Sequence, residues 1–218
     1  KYIFIYMRQK QSLKQIIKQE YTRCASDPVY FMKKYCQIQH PTRGRIPFKL
    51  YPFQEKSLED LSDHDYNIIL KSRQLGISTL SAGYSLWLML FQEDKNVLVI
   101  ATKQEVAKNL VTKVKFMYDN LPSWLQIGFV EKNKLALRLK NGSQIKAVSA
   151  ASDAGRSEAI SLLIIDEAAF IEENRIEEIW ASSQQTLSTG GRAIVLSTPN
   201  GTGNFFHRMW VRAETGEN

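Results

Sequence analysis

The chain has 218 residues, of which 44% are hydrophobic and 23% are charged, and these values suit a globular protein with one main core. No apolar run approaches the roughly 18 residues of a membrane-spanning helix, and two isolated cysteines, Cys24 and Cys36, exclude a disulfide framework and favour a reducing compartment. The formal net charge is +7, and residues 1–50 hold 11 Lys/Arg against 2 acids. This basic segment indicates a polyanionic partner such as nucleic acid, but a solvated, lysine-rich helix face explains it equally well.

The first part of the chain predicts a basic helical segment, residues 1–46, that leads into the main domain, residues 47–218. Residues 8–39 are predicted to form two helices around Asp27-Pro28, the first with a thin apolar stripe. The stripe consists of Leu13, Ile16 and Ile17. An extended connection follows, because three prolines disfavour helix in the residues before them: Pro41, Pro47 and Pro52.

From Asn67 the pattern changes to short apolar strands that alternate with longer helices. This alternation predicts an α/β fold with a mainly parallel sheet and helices on both faces. A β-hairpin is also predicted for residues 134–139 and 144–148, because Asn141-Gly142 tolerates the positive φ of a type I′ turn. Further strands are predicted at 67–70, 96–101, 160–165 and 193–196, and helices at 78–90, 104–120, 175–186 and from about 204.

The segment 71–79, Lys-Ser-Arg-Gln-Leu-Gly-Ile-Ser-Thr, lies between a predicted strand and a predicted helix. It matches part of the phosphate-binding pattern G-x-x-x-x-G-K-[ST], in which backbone amides hold phosphates, lysine reaches the outer phosphates and the hydroxyl holds Mg²⁺. Gly76 and Ser78 match this pattern, but Ile77 stands at the lysine position. Lys71 stands at the position of the first glycine.

Arg73 is the predicted replacement for the missing lysine of this loop. It is always charged, and its planar guanidinium can bridge two phosphate oxygens. Taken alone, the loop is explained equally well by an ordinary strand–turn–helix in which Gly76 makes the corner. A second motif therefore decides between the two interpretations.

That second motif is an adjacent carboxylate pair, Asp166 and Glu167, which follows four apolar residues of a predicted buried strand. Open α/β sheets bind ligands at the carboxyl ends of their strands. Asp166 is predicted to hold Mg²⁺ and Glu167 to polarise the attacking water of ATP hydrolysis. The alternative, an acid pair that stabilises a helix start, does not explain why a phosphate loop precedes it.

With both motifs in place, the chain resembles the ATPase domain of large terminase subunits, the DNA-packaging motors of tailed bacteriophages. The resemblance covers roughly residues 45–212 and implies a P-loop NTPase fold of the ASCE, RecA-like type. Four segments carry it, in the order of that family: Phe53-Gln54, residues 71–79, Ile-Ile-Asp-Glu-Ala-Ala-Phe at 164–170 and Ser-Thr-Pro-Asn-Gly at 197–201.

The resemblance implies a role for each residue of the nucleotide site. Gln54 would read the adenine edge, with Phe53 or Tyr51 packing on the ring. Arg73 would sense or stabilise the γ-phosphate, and Ser78 with Asp166 would hold Mg²⁺. Glu167 would be the catalytic carboxylate. The loop residues that would surround ATP are Ser72, Arg73, Gln74, Leu75, Gly76, Ile77, Ser78 and Thr79.

Two further features concern communication between subunits and with DNA. Arg156 corresponds to an arginine finger that a neighbouring subunit would receive, and such fingers are worth about 10³–10⁵ in turnover. The coupling segment, which reports nucleotide state to DNA-gripping parts, corresponds to Ser197, Thr198 and Asn200.

The partners implied are double-stranded DNA, the portal protein of the procapsid, the small terminase subunit and further copies of the chain in a ring. The place of action implied is the host cytoplasm at the procapsid portal, without a membrane. Relatives usually continue into an RNase H-like nuclease, whose acidic metal cluster is not found here, so nuclease activity is not expected of this chain.

Two alternatives to a packaging motor stay open from the residues. A superfamily-2-like helicase or translocase would explain Asp-Glu-Ala-Ala at 166–169, but it needs a second RecA-like domain. A nucleotide- or DNA-binding module with a degenerate, non-hydrolysing loop would explain Ile77. The histidines have no ligand spacing, and no metal role is predicted for them: His40, His64 and His207.

Overall fold

The computed structural model describes residues 2–152 and 159–216 of the chain, with side chains from Ser12 onward. The strands of this described part are β1 Gln37–His40, β2 Gly44–Pro47, β3 Tyr66–Leu70, β4 Asn96–Ala101, β5 Phe129–Lys132, β6 Ala136–Leu139, β7 Gln144–Ser149, β8 Leu162–Asp166 and β9 Arg192–Ser197. Its α-helices are α1 Tyr2–Ser26, α2 Pro28–Tyr35, α3 Pro52–Asp63, α4 Ile77–Phe91, α5 Gln104–Asp119, α6 Glu173–Leu187 and α7 Phe205–Thr215. None of the described helices is long and apolar enough to cross a membrane.

The main sheet contains seven strands in the order β3-β9-β8-β4-β7-β6-β5. The first five are parallel to one another, whereas β6 pairs antiparallel with both β7 and β5. The predicted α/β fold with a mainly parallel sheet is therefore confirmed. Parallel pairing brings the carboxyl ends of β3, β9 and β8 to one edge of the sheet, where Leu70 is paired with Ser197 and Asp166 with Leu196.

Both faces of this sheet are covered, which explains the continuous apolar run in β8. Leu162 and Ile164 face the core formed with α4 and α5, whereas Leu163 and Ile165 face a second core formed with α6 and α7. Side chains alternate between the faces of a strand, so a strand buried on both sides must be apolar at every position. α4 is buried over most of its length, and its polar contacts are made within the core.

The N-terminal segment contains the two predicted helices, but the second ends earlier than residue 39. α2 ends at Tyr35, and Cys36 is already extended, with φ −76° and ψ 139°. The residues that follow form β1, which pairs with β2 as an antiparallel hairpin and places Ile38 opposite Ile46. The predicted helix end and the simple extended connection were wrong here. The proposed division between segment and domain at residue 46 stays a prediction.

The predicted hairpin of β6 and β7 is confirmed, but its type I′ turn is not. The Gly142 amide donates to the Leu139 carbonyl, 3.2 Å away, and Gly142 has a φ of 85°, whereas Asn141 does not have a positive φ. The loop is thus a three-residue connection with glycine at its left-handed position. Asn141 is held instead by the end of α4, because its Nδ2 atom donates to the Met89 carbonyl, 2.8 Å away.

Candidate nucleotide-binding site

The predicted phosphate loop connects β3 to α4 through two left-handed residues. Gln74 has a φ of 63°, and Gly76, which precedes the first turn of α4, has a φ of 73°. No side chain caps the start of α4, so the first N–H groups of the helix have no side-chain acceptor. Free N–H groups and the positive end of the helix dipole form a ready anion site. The loop therefore has the geometry that phosphate binding requires.

The side chain of Gln54, at the start of α3, is hydrogen-bonded to this loop. Its Nε2 atom donates to the Leu75 carbonyl, 2.9 Å away, and its Oε1 atom accepts from the Tyr51 amide at 3.0 Å. The side chain is buried, and a Cβ atom on Gly76 would lie 2.8 Å from its Nε2 atom. Gln54 thus fixes the loop to the start of α3. Both polar ends of its side chain have partners within the protein, and its predicted contact with adenine stays a prediction.

Tyr51 and Phe53 form an exposed pair of rings at the start of α3. Their centroids lie 5.8 Å apart and the ring planes are 7° from parallel. The side chains remain 64% and 43% exposed, so each ring keeps an accessible face. This accessibility is what stacking on a nucleotide base requires.

The cation of the site is Lys71, which follows β3 directly. Its Nζ atom lies 2.5 Å from Oε1 of Glu167 and 3.8 Å from Oδ1 of Asp166, and its side chain is only 9% exposed. Arg73, the predicted replacement cation, is exposed and forms no ion pair with a described residue. Ile77 is buried in the core, so its side chain faces away from the loop. The sequence reasoning missed Lys71 because it treated this position only as a lost glycine.

Asp166 and Ser78 form the oxygen-rich part of the site. The Ser78 hydroxyl donates to Oδ2 of Asp166 at 3.0 Å, whereas the buried Oδ1 has no hydrogen-bond partner. Burial raises the pKa of Asp166, an effect that Lys71 and the Ser78 hydroxyl oppose. One carboxylate and one hydroxyl fit Mg²⁺, which takes few protein oxygens and completes its shell with phosphate and water. The described residues contain no cluster of three or more His, Cys, Asp or Glu that could hold a metal ion.

Glu167 occupies a left-handed conformation, with a φ of 54°, which is uncommon for a residue other than glycine. This turn directs its carboxylate across β9, where Oε2 accepts hydrogen bonds from the Thr198 amide at 3.0 Å and from the Thr198 hydroxyl at 2.9 Å. Burial raises its pKa, but the hydrogen bonds from Lys71 and Thr198 outweigh burial and lower the pKa overall. Glu167 is therefore ionised and fixed in place, as a base that positions water must be.

The predicted coupling segment lies against this carboxylate. The Ser197 hydroxyl accepts from the Ala169 amide at 3.1 Å, and Nδ2 of Asn200 donates to the Ala169 carbonyl at 2.9 Å. Together with Thr198, these residues join the end of β9 to the segment after β8. The structure thus brings together all three predicted coupling residues and Glu167. The predicted finger, Arg156, lies outside the described residues.

The family model described as "Terminase large subunit, T4likevirus-type, N-terminal" matches residues 68–217, which include the loop, the carboxylate pair and the segment after β9. The chain belongs to the family of terminase large subunits. The match begins within β3 and ends after α7, so it covers the strands that form the site.

Solved terminase structures have the same fold. The large terminase of bacteriophage HK97 superposes with a TM-score of 0.72 at 20% identity, over 88% of this chain and 42% of that chain. The ATPase domain of the Thermus phage P74-26 large terminase gives 0.62 at 22% identity, over 75% and 70% of the two chains. A large terminase from a thermophilic bacteriophage, in complex with ATP-gamma-S, gives 0.55 at 17% identity, over 72% and 38%. The P-loop NTPase-like fold is thus confirmed, and this chain spans less than half of the HK97 protein.

Proposed function

We propose that this chain is the ATPase motor domain of a large terminase, which hydrolyses ATP with Mg²⁺ to drive double-stranded DNA into a procapsid. The observation that supports this function most directly is the convergence of Lys71, Ser78, Asp166 and Glu167 beside a helix start that has no side-chain cap. A cation, a metal-binding pair and a fixed carboxylate base are the parts that ATP hydrolysis requires.

In the proposed reaction, the loop amides and Lys71 bind the phosphates. Lys71 pairs with Glu167 in the structure, and the outer phosphate of ATP would compete for the same ammonium. Transfer of Lys71 to the phosphate would leave Glu167 held by Thr198 and free to accept a hydrogen bond from the attacking water. Ser78 and Asp166 would hold Mg²⁺, which neutralises charge on the phosphates when bound.

The remaining site residues have supporting roles in this proposal. Arg73 is exposed and unpaired with described residues, so its guanidinium is available to the γ-phosphate. Tyr51 or Phe53 would pack on adenine, with Gln54 reading its edge. Arg156 would complete the site of a neighbouring subunit. A change in the position of Glu167 would be transmitted to the parts of the motor that grip DNA through the coupling segment, which consists of Ser197, Thr198 and Asn200.

The proposed partners follow from the terminase family. They are double-stranded DNA, the portal protein, the small terminase subunit and further copies of the chain in a ring, and they would act together in the host cytoplasm at the procapsid portal. Residues 1–46 would form the basic segment and residues 47–218 the ATPase domain. Nuclease activity is not expected of this chain.

The test is Mg²⁺-dependent ATP hydrolysis by the full-length protein across a concentration series. Glu167→Gln, Arg73→Ala and Arg156→Ala are measured beside it, with and without double-stranded DNA. Activity that rises more than linearly with concentration, increases with DNA and falls in all three variants supports a multisubunit motor. If ATP hydrolysis stays at the background rate while nucleotide binding is intact, the motor proposal is overturned in favour of a binding module that does not hydrolyse ATP.

A further inference from the structure

A cavity of about 440 Å³ lies between the β1–β2 hairpin and α5, and it reaches the first turn of α4. Its walls include Ile38 and Phe116, and Thr79 forms the part nearest the phosphate loop, one residue after Ser78. Cavities of this size accept small organic ligands. The cavity therefore opens beside the nucleotide site, on the side of α5.

Lys113, on α5, is the cation of this cavity wall. It is half-buried and forms neither an ion pair nor a hydrogen bond with any residue that the structure describes. Burial lowers the pKa of Lys113, the charge of Asp166 opposes that effect and the charge of Lys71 adds to it. Lys113 and Thr79 line the same cavity, so this cation shares a cavity with the residue that follows Ser78. A half-buried ammonium without an anion is costly, and such a group marks a place for an anionic ligand.

We infer that Lys113 is a further binding residue of the nucleotide site, whose ammonium binds the phosphate chain of a nucleoside di- or triphosphate. The inference rests on the proposed function and extends it to α5, which none of the sequence motifs includes. Lys71 lies beside Glu167, where hydrolysis occurs, whereas Lys113 approaches from the Thr79 side. Lys113 therefore contacts phosphates that ADP and ATP share.

The experiment measures the affinity of the 218-residue chain for Mg²⁺-ADP and for a non-hydrolysable Mg²⁺-ATP analogue by isothermal titration calorimetry. Lys113→Met keeps most of the side-chain volume and removes the charge, and Lys113→Arg keeps the charge. We expect Lys113→Met to raise both dissociation constants roughly ten- to a hundredfold, the range for a hydrogen bond to a charged group. Lys113→Arg restores most of the affinity.

Lys115→Met is the matched control. Lys115 lies on the same helix, is also half-buried and also has a pKa lowered by burial, but the charges that act on it are those of Lys132, Asp119 and Glu131. Its removal leaves both dissociation constants within about twofold of the parent values. The melting temperature of ligand-free Lys113→Met should not fall, because the substitution removes an unpaired charge from a half-buried site.

Three outcomes would overturn the inference. Unchanged affinity in Lys113→Met overturns it, while nucleotide binding by the parent protein, and with it the proposed function, still stands. A loss of affinity together with a lower ligand-free melting temperature, not restored by Lys113→Arg, assigns Lys113 a purely structural role. A parent protein that binds neither nucleotide overturns the proposed function and this extension together.

Discussion

The Nζ atom of Lys71 lies 2.5 Å from Oε1 of Glu167, although the two residues are 96 positions apart in the chain. Parallel pairing of β3, β9 and β8 brings both residues to the same edge of the sheet, and the left-handed backbone of Glu167 turns its carboxylate toward β3. In the proposed reaction, Lys71 would supply at the start of the loop the charge that the usual pattern supplies after its last glycine. Ile77 is consequently free to be a core residue.

Lys71→Met should abolish most ATP hydrolysis. The substitution removes the buried ammonium that pairs with Glu167 and, in the proposed reaction, binds the outer phosphate. Removal of one such electrostatic group lowers turnover by about 10²–10³. The measurement is steady-state hydrolysis at saturating Mg²⁺-ATP, with Arg73→Ala beside it. A larger loss in Arg73→Ala than in Lys71→Met would contradict the assignment of Lys71 as the main cation.

Ile77→Lys places a lysine where the usual loop pattern has one. Combined with Lys71→Met in a double variant, it should not restore the ATP hydrolysis that Lys71→Met loses. Ile77 is 4% exposed and packs in the core with α4 and α5, so a lysine there places an unpaired charge in apolar surroundings. We expect a loss of about 3–5 kcal/mol in the free energy of unfolding. Chemical denaturation measures it, and Ile77→Leu, which keeps the volume and adds no charge, is the control. A stable, active double variant would show that position 77 can face the phosphates.

The strand–loop–helix unit and the carboxylate pair could be predicted from the sequence because each depends on neighbouring residues. Gly76 and Ser78 mark the loop, and the apolar run before Asp166 marks a strand buried on both faces. The coupling residues were predicted through the family resemblance. In the structure Thr198 contacts Glu167 and Asn200 contacts Ala169, and the coupling role itself stays a prediction.

Lys71 could not be identified from the loop alone, since its partner, Glu167, comes from another strand and only the strand order brings the two together. A lysine directly after the first strand of a parallel sheet was the available signal, because the carboxyl ends of such strands share one edge. The predicted type I′ turn of the β6–β7 hairpin was wrong for a similar reason. Asn141 bonds to the carbonyl of Met89 at the end of α4, a tertiary contact that local turn preferences do not contain.

Thr198→Val should reduce turnover by about tenfold without loss of nucleotide binding. The substitution removes the hydroxyl that donates to Oε2 of Glu167 at 2.9 Å, whereas the backbone amide of residue 198 still donates to the same oxygen. A single hydrogen bond to a charged group contributes about 1.5–3 kcal/mol, and part of this is retained through the amide. Thr198→Ser, which keeps the hydroxyl, is the control. Equal rates in the two variants would contradict a positioning role for this hydroxyl.

Gly76→Ala should destabilise the loop for two independent reasons. The backbone of Gly76 has a φ of 73°, which alanine adopts at a cost of about 1–2 kcal/mol, and the added Cβ atom would lie 2.8 Å from Nε2 of Gln54. Gly201→Ala is a matched control, because Gly201 has the same φ of 73° but no atom within 4 Å of its Cβ position. We expect a larger loss of unfolding free energy and of nucleotide affinity in Gly76→Ala. Equal losses would mean that Gln54 can move aside.

Glu20→Gln should change how the stability of the chain depends on pH. The carboxylate of Glu20 on α1 accepts hydrogen bonds from Lys34 at 2.7 Å, Tyr30 at 2.7 Å and Tyr35 at 2.8 Å, all on α2. These hydrogen bonds, that from Lys34 first, lower the pKa of Glu20 from 4.5 to about 2. A carboxyl whose pKa is lower in the folded state stabilises the fold above the unfolded pKa, and this stabilisation disappears as pH falls through the folded pKa.

The window for this effect therefore lies between pH 4.5 and about 2. Thermal unfolding of the parent chain and of Glu20→Gln, followed by circular dichroism from pH 7 to pH 2, measures it. The melting temperature of the parent should exceed that of the variant at pH 5 and above, and the difference should shrink steadily below pH 4.5. Other carboxyl groups titrate in both proteins and cancel in the difference. A constant difference across the range would show that the charge of Glu20 does not contribute to the packing of α1 on α2.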